Sequence, residues 1–264
     1  MKNCLFGLMI GLFFTALSCQ AETELDSGLT HILQQAGVAG SIVLLETDTN
    51  RVRVSDTTRS QERFLPASTF KVPHALIALE TGVVQENELF PWDGTPLPLK
   101  TWEKDLTLKE AMAVSSVPVF QQIARRIGLQ RLAEWVTRIG YGNHEIGEKV
   151  DQFWLEGPLA ISPLEQAQFM ARLAQNQLPF AKQSLESVRR LIPQEQLGDA
   201  HLFGKTGWAA AAKPMIGWYV GWLETQGTIV AFAVNIPMQS LEDAPLRKSL
   251  AMTALRYSGA LATM

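Results

Sequence analysis

Cysteine is almost absent from this chain: its 264 residues include two, Cys4 and Cys19, and both fall within the first 21. A protein that loses that segment keeps no thiol, so neither a disulfide nor a thiolate metal site can brace it, and packing must supply the stability. Histidine is scarce as well. His31, His74, His144 and His201 show no H-E-x-x-H spacing and no carboxylate cluster that would complete a zinc site, so each reads as structural and no metal is expected. Charge of one sign is also lacking, with 23 Lys and Arg against 26 Asp and Glu, a net charge of −3 and no long basic run. That balance argues against nucleic acid and anionic membrane surfaces as partners. There is no apolar run long enough to span a bilayer, no internal repeat, and no linker rich in Pro, Gly and Ser.

What is present describes an ordinary globular protein: 47% hydrophobic and 19% charged residues, enough to bury a core in one large domain or two modest ones. Residues 1–21 stand apart. Lys2, an apolar run over residues 5–17 and a small-residue end at Ala21 have the layout of an export signal, placing the mature protein in the periplasm as a monomer or homodimer. Cys19 leaves a lipid anchor open, although Ala16-Leu17-Ser18 is a poor context for one. In the remaining 22–264, residues 25–36 read as a short helix, and residues 39–47 with the alternating 51–54 read as a hairpin. The pattern then turns helical from Thr69 to about Arg190, with capping boxes at Thr107/Glu110 and Ser162/Glu165, and a helix opened by Pro118 and closed by Gly128. Strands return at 201–206, 216–223 and 228–236, and a last helix is expected over 244–258. The implied fold is α/β (α+β): an antiparallel sheet built from both ends (22–66 and 195–264), flanked by helices, with a helical part (67–194) inserted.

Ser68-Thr-Phe-Lys71 puts a hydroxyl and an amine on one helical turn, where residues three apart share a face. A serine needs a base, and a lysine can act as one only if burial lowers its pKa. Alone this pattern is weak, since about one S-x-x-K is expected by chance at average composition, and a capping Ser beside an exposed Lys would explain it. Gly204-Lys-Thr-Gly207 looks like the end of a phosphate-binding loop, but Gly198 precedes Gly204 by one residue too many and no helix start follows. On a strand, Lys205 and Gly207 share one face and Thr206 takes the other, and Gly207 admits a ligand close to the backbone. Trp154 reads as a core residue whose indole N–H needs an acceptor.

S-x-x-K followed far downstream by K-T-G resembles the penicillin-recognising serine enzymes. Ser115-Ser-Val117, Tyr141-Gly142-Asn143 and Trp154-Leu155-Glu-Gly157 sharpen this to a resemblance to the class D (oxacillinase-type) β-lactamases, carried over nearly all the mature chain. Pro66-Ala-Ser68, Trp92-Asp-Gly94, Pro118-Val-Phe-Gln-Gln122 and Pro245-Leu-Arg-Lys248 read the same way. The resemblance implies that Ser68 attacks the lactam carbonyl and that water then releases the acyl-enzyme. No E-x-x-L-N segment supplies a class A glutamate; in the class D pattern, the resemblance implies, that role falls to Lys71, carboxylated by carbon dioxide to N6-carboxylysine, with no other cofactor. Val117, Phe120, Trp154 and Leu155 would line its pocket, with the Trp154 N–H holding the carbamate. Ser115 and Lys205 would pass a proton to the lactam nitrogen. The Ser68 and Trp208 N–H groups would form the oxyanion hole. Arg247, with Thr206 and Gly207 beside it, would take the substrate carboxylate. Tyr141, Gly142 and Asn143 would shape the loop bearing Trp154. Trp208 and Ala209-Ala-Ala-Ala212 depart from the pattern and leave the range of β-lactam antibiotics open. β-Lactam sensors, which stay acylated, and cell-wall transpeptidases share these motifs. Sensors of that kind accompany several membrane spans, and the short chain and S-x-V disfavour the transpeptidase.

Overall fold

A computed structural model describes residues 23–262; the expected export segment, with Cys4 and Cys19, lies outside the described residues. Strand β1 (Thr23–Leu25) leads into helix α1 (Ser27–Gln35). The helix begins later than its periodicity predicts because Asp26 caps it, accepting from the N–H groups of Gly28 at 2.8 Å and Leu29 at 3.3 Å. β2 (Ser41–Glu46) and β3 (Arg51–Val54) form the expected hairpin. β1 pairs with β3 in parallel, so one strand departs from the antiparallel rule; three residues are too few to display a period.

A 3₁₀ turn, Ala67–Phe70, opens onto α2 (Lys71–Glu80). β4 (Leu89–Phe90) and β5 (Leu106–Thr107) pair as a small ribbon inside the otherwise helical insert. Then come α3 (Leu108–Ala113), α4 (Val117–Ile127) and α5 (Leu129–Arg138). Residues 139–162 contain no helix, contrary to the continuous helical reading. α6 (Pro163–Ala174) and α7 (Lys182–Leu191) follow, and both expected capping boxes form, at Thr107 and at Ser162. The edge strand β6 (Gln194–Leu197), polar and unpatterned in sequence, precedes β7 (Ala200–Ala209), β8 (Met215–Thr225) and β9 (Thr228–Met238), and α8 (Ala244–Tyr257) ends the chain.

The seven strands run in the order β1-β3-β2-β9-β8-β7-β6, which brings the two ends of the chain together at the β2–β9 pairing. Both faces of the sheet are buried, which is why β2 reads as an unbroken apolar run. Ile42 and Leu44 face one core with Leu29, Phe232 and Leu255 beneath α1 and α8, while Val43 and Leu45 face the core shared with the insert. α6 lies on the insert side, across β2, β8 and β9. No helix among the described residues is long and apolar enough to cross a membrane.

β7 and β8 meet at the pair Gly204 and Gly221. A Cβ on Gly221 would sit 1.9 Å from the Phe203 carbonyl oxygen and 2.9 Å from Gly204 Cα, so backbone would have to move. Gly221→Ala is expected to cost about 2 to 4 kcal/mol, or about 5 to 15 °C in a thermal melt. A melting temperature within a degree of wild type would show that the central pairing tolerates the methyl group.

Candidate active site

The 3₁₀ turn carrying Ser68 is wedged between the insert and β7. Ala67 is held at φ 47, a left-handed conformation unusual for a residue with a side chain, and its N–H donates to the Trp154 carbonyl at 2.9 Å. The Trp218 indole donates to the Leu65 carbonyl at 2.9 Å, fixing the approach to the turn. Gly207 lets the turn come close: a Cβ there would lie 3.0 Å from Thr69 Cγ2 and 3.1 Å from the Pro66 carbonyl oxygen. Ser68 makes no side-chain cap, which disposes of the capping explanation; instead Lys71 Nζ donates to its Oγ at 2.9 Å.

Lys71 is fully buried, against Phe120, whose ring centroid lies 5.3 Å from Nζ; Trp154, packed against Phe70 and His74 on either side of Lys71 in the chain, is fully buried too. Burial pushes its pKa well below the ordinary lysine range, and the nearby Lys205 charge pushes it further. Both effects favour the neutral amine, the form that can take a proton. The indole Nε1 of Trp154 is buried with no partner among the described residues, so the acceptor that its N–H requires is missing.

Ser115 stands across from Ser68. α3 ends at Ala113, Ser116 caps α4, and of the two elbow residues between them, Val114 and Ser115, the second sits at φ 54. The Trp102 indole holds the preceding Val114 carbonyl at 3.0 Å. Lys205 Nζ donates to Ser115 Oγ and, at 3.0 Å, to the Thr206 carbonyl. Burial lowers the Lys205 pKa to about 7, with the Arg247 charge adding to the shift. β6 covers only Ala200 to Phe203 of β7, so beyond that point the outer edge of β7 is free of strand partners. Thr206 turns its carbonyl to that edge, and Trp208, two residues on, presents its N–H there as well. The Ser68 N–H, in the first turn of a helix, likewise needs a partner from outside it.

Arg247 is buried, its Nη1 donating to the Gly207 carbonyl at 2.6 Å and its Nε to Ala244 at 2.9 Å. It reaches the sheet only because residue 217 is glycine: a Cβ there would meet Arg247 Cδ at 2.8 Å. Ser68, Ser115, Val117, Leu155, Thr206 and Arg247 thus share one cavity of about 270 Å³, with Gly207 and Trp208 in its wall. Its mouth is formed by Leu99 and Trp102 of the insert and by Leu241, which precedes α8.

Tyr141, Gly142 and Asn143 do not reach the cavity. Asn143 clamps the loop that carries Trp154, its Nδ2 donating to the Pro158 carbonyl at 2.9 Å and its Oδ1 accepting from Ala160 N at 3.0 Å. Gly142, at φ 60, leaves no space for a Cβ, which would lie 2.1 Å from the Ala160 carbonyl oxygen. Tyr141 is buried and donates to Gln166 Oε1 at 3.4 Å; Gln166 Nε2 donates to Thr69 Oγ1, and Thr69 Oγ1 to the Pro66 carbonyl, each at 2.7 Å. Gln166, Thr69 and Gly217 are positioning residues that motif reading passed over. A polar residue at 166, in step with the apolar positions 170 and 173, was the available signal for the first, and a lone Gly between Ile216 and Trp218 for the last.

Among the described residues no group of His, Cys, Asp and Glu could hold a metal ion. The chemistry on offer is nucleophilic attack by Ser68 with Lys71 as base, a Ser115–Lys205 pair facing it, and a buried cation for an anionic ligand.

The family of penicillin binding protein transpeptidase domains matches residues 40–255. The chain is 36% identical to β-lactamase OXA-10 of Pseudomonas aeruginosa, over 93% of this chain and 96% of that one. Its fold is similar to that of FUS-1 (OXA-85), a class D β-lactamase from Fusobacterium nucleatum subsp. polymorphum, with a TM-score of 0.86 and 36% identity, covering 89% of this chain and 98% of that one. Regulatory protein BlaR1 of Bacillus licheniformis is 34% identical over 84% of this chain, but the match spans only 37% of BlaR1.

The Arg247 charge depresses the Lys205 pKa, so removing it should raise that pKa. If the Ser115–Lys205 pair works with Lys205 protonated, kcat/KM of the free enzyme falls as pH rises through about 7. Arg247→Gln is expected to move that alkaline limb upward while weakening the affinity for anionic substrates about 10 to 150-fold. A limb left in place would detach it from Lys205.

Proposed function

The chain belongs to the family of penicillin-binding-protein transpeptidase domains and, within it, to the class D β-lactamases, and from that premise we propose that it hydrolyses penicillin-type β-lactams through an acyl-enzyme on Ser68, conferring resistance to them. The observation that carries this reading is the 2.9 Å approach of the buried Lys71 Nζ, whose pKa burial lowers, to Ser68 Oγ, on the wall of a cavity that also holds Ser115 and Arg247.

Arg247 and Thr206 bind the substrate carboxylate and set the lactam carbonyl over Ser68. Ser68 Oγ bonds to the carbonyl carbon and gives its proton to the base at Lys71, while the N–H groups of Ser68 and Trp208 stabilise the oxyanion. The lactam C–N bond then breaks, and its nitrogen takes a proton from Ser115, replenished from Lys205; the base at Lys71 releases the proton it took from Ser68, and Lys205 regains one, which resets both groups. Water attacks the acyl carbon and yields its proton to the same base. The Ser68 oxygen leaves, recovers its proton, and the ring-opened acid departs.

Lys71 also fits carboxylation. Its neutral amine can bond through its lone pair to the carbon of carbon dioxide and release one proton. The resulting group supplies an anionic general base whose oxygens accept hydrogen bonds. The Trp154 N–H, unpartnered among the described residues, and the buried Phe120 ring support this reading, and Val117 and Leu155, which line the adjoining cavity, would close the pocket. The apolar run at residues 5–17 supports export to the periplasm, where such drugs are met.

A penicillin should be turned over many times per enzyme, and Ser68→Ala should abolish labelling by a fluorescent penicillin while leaving the fold intact. Stoichiometric labelling without release would favour a sensor instead, and labelling of the mutant would remove Ser68 from the mechanism. Trp154→Phe, which keeps an aromatic ring but loses the donor, is expected to slow deacylation more than acylation, by about 10²-fold or more. Added bicarbonate should restore part of the loss, and unchanged release of the acyl group would refute the role given to the Trp154 N–H.

A further inference from the structure

His74 is the one buried titratable group of the site that the reaction above does not use. It lies on α2 three residues after Lys71, the same spacing that links Lys71 to Ser68, and it is fully buried. Its ring stands 4.9 Å from that of Trp154, 5.7 Å from Phe120 and 5.2 Å from Phe70, centroid to centroid, so it forms part of the cage around Lys71. Neither of its ring nitrogens has a hydrogen-bond partner among the described residues.

An imidazole buried with both nitrogens idle is costly, and a Leu or Phe would fill the space without that cost. The polar groups of the cage show what is missing. Trp154 Nε1 is a donor only, the Lys71 amine donates to Ser68 Oγ, and a neutral imidazole carries one donor and one acceptor. The cage therefore has two idle N–H donors, on Trp154 and His74, with no protein acceptor for either. Burial, the largest cause, holds the His74 pKa down and so favours the neutral ring with its single N–H.

We infer that His74 is a positioning residue for the Lys71 base: its imidazole N–H donates to an oxygen of carboxylated Lys71 as a second donor beside Trp154 Nε1. This rests on the carboxylation proposed for Lys71. It assigns His74 the task of favouring the carboxylated form over the free amine, and so of setting how much bicarbonate the enzyme needs.

The test is a bicarbonate titration of enzyme stripped of carbon dioxide, read by the carbamate carbon signal of ¹³C-labelled bicarbonate. His74→Phe, which fills the cage but lacks the donor, should raise the bicarbonate concentration at half-saturation about tenfold or more, as expected for losing a hydrogen bond to a charged group. His74→Asn, which keeps an N–H donor, should stay closer to wild type. In ¹⁵N-histidine-labelled wild-type enzyme, which needs no folded variant, the His74 imidazole N–H proton should move downfield as bicarbonate is added. A wild-type carbamate signal with an unmoved His74 proton, or with equal half-saturation in folded His74→Phe, would overturn this inference alone and point to a buried water as the partner. Absence of any carbamate signal in the wild type would overturn it together with the carboxylation of Lys71.

Discussion

Lys71 is a lysine buried without a carboxylate to neutralise it. Its lowered pKa comes from desolvation and from a second cation, Lys205, and owes nothing to an ion pair. A surface lysine is protonated at neutral pH and cannot accept a proton from serine; the folded chain removes the water around this one and so favours the neutral amine that can. The aromatic cage of Phe70, Phe120 and Trp154, and the packing of α2 against α4 and α7, serve that exclusion. A fold with a looser insert would keep the same motifs and lose the base.

Position matters as much as dryness. The turn bearing Ser68 is tied on three sides, by the Trp218 indole to Leu65, by the Trp154 carbonyl to Ala67, and through Gln166 and Thr69 to Pro66. Residues 139–162, which have no helix to stiffen them, are held instead by Asn143 and by the close packing of Gly142. Ala67 and Ser115, on opposite walls of the site, both have positive φ. Neither conformation would persist without the surrounding hydrogen bonds, so the site is assembled by the whole insert and the sheet edge together.

Much of this was legible in the residues. The capping boxes, the hairpin, the strands near the C-terminus and the last helix announce themselves through local chemistry, and S-x-x-K with K-T-G marks the two walls of the cavity. β1 and β6 were not legible, because Thr-Glu-Leu is too short and Gln-Glu-Gln-Leu too polar to show a period. Their partners on the sheet, and not their own pattern, make them strands. The non-helical stretch after α5 was masked by its apolar content, which is core packing around Phe153 and Trp154. His74 and Gln166 were illegible for a different reason. A lone His or Gln in a helix is ordinary until burial shows it deprived of water.

Direct observation of the Lys71 side chain tests the dependence of the site on desolvation. Enzyme carrying ¹³C at lysine Cε, stripped of carbon dioxide and titrated by NMR, should show, besides the lowered resonance of Lys205, a resonance in the neutral-amine form far below the ordinary lysine pKa of 10.5 that is absent from Lys71→Ala. If instead the resonance lost in Lys71→Ala titrates near that ordinary value, Lys71 is charged in the resting enzyme, and desolvation does not make it the base.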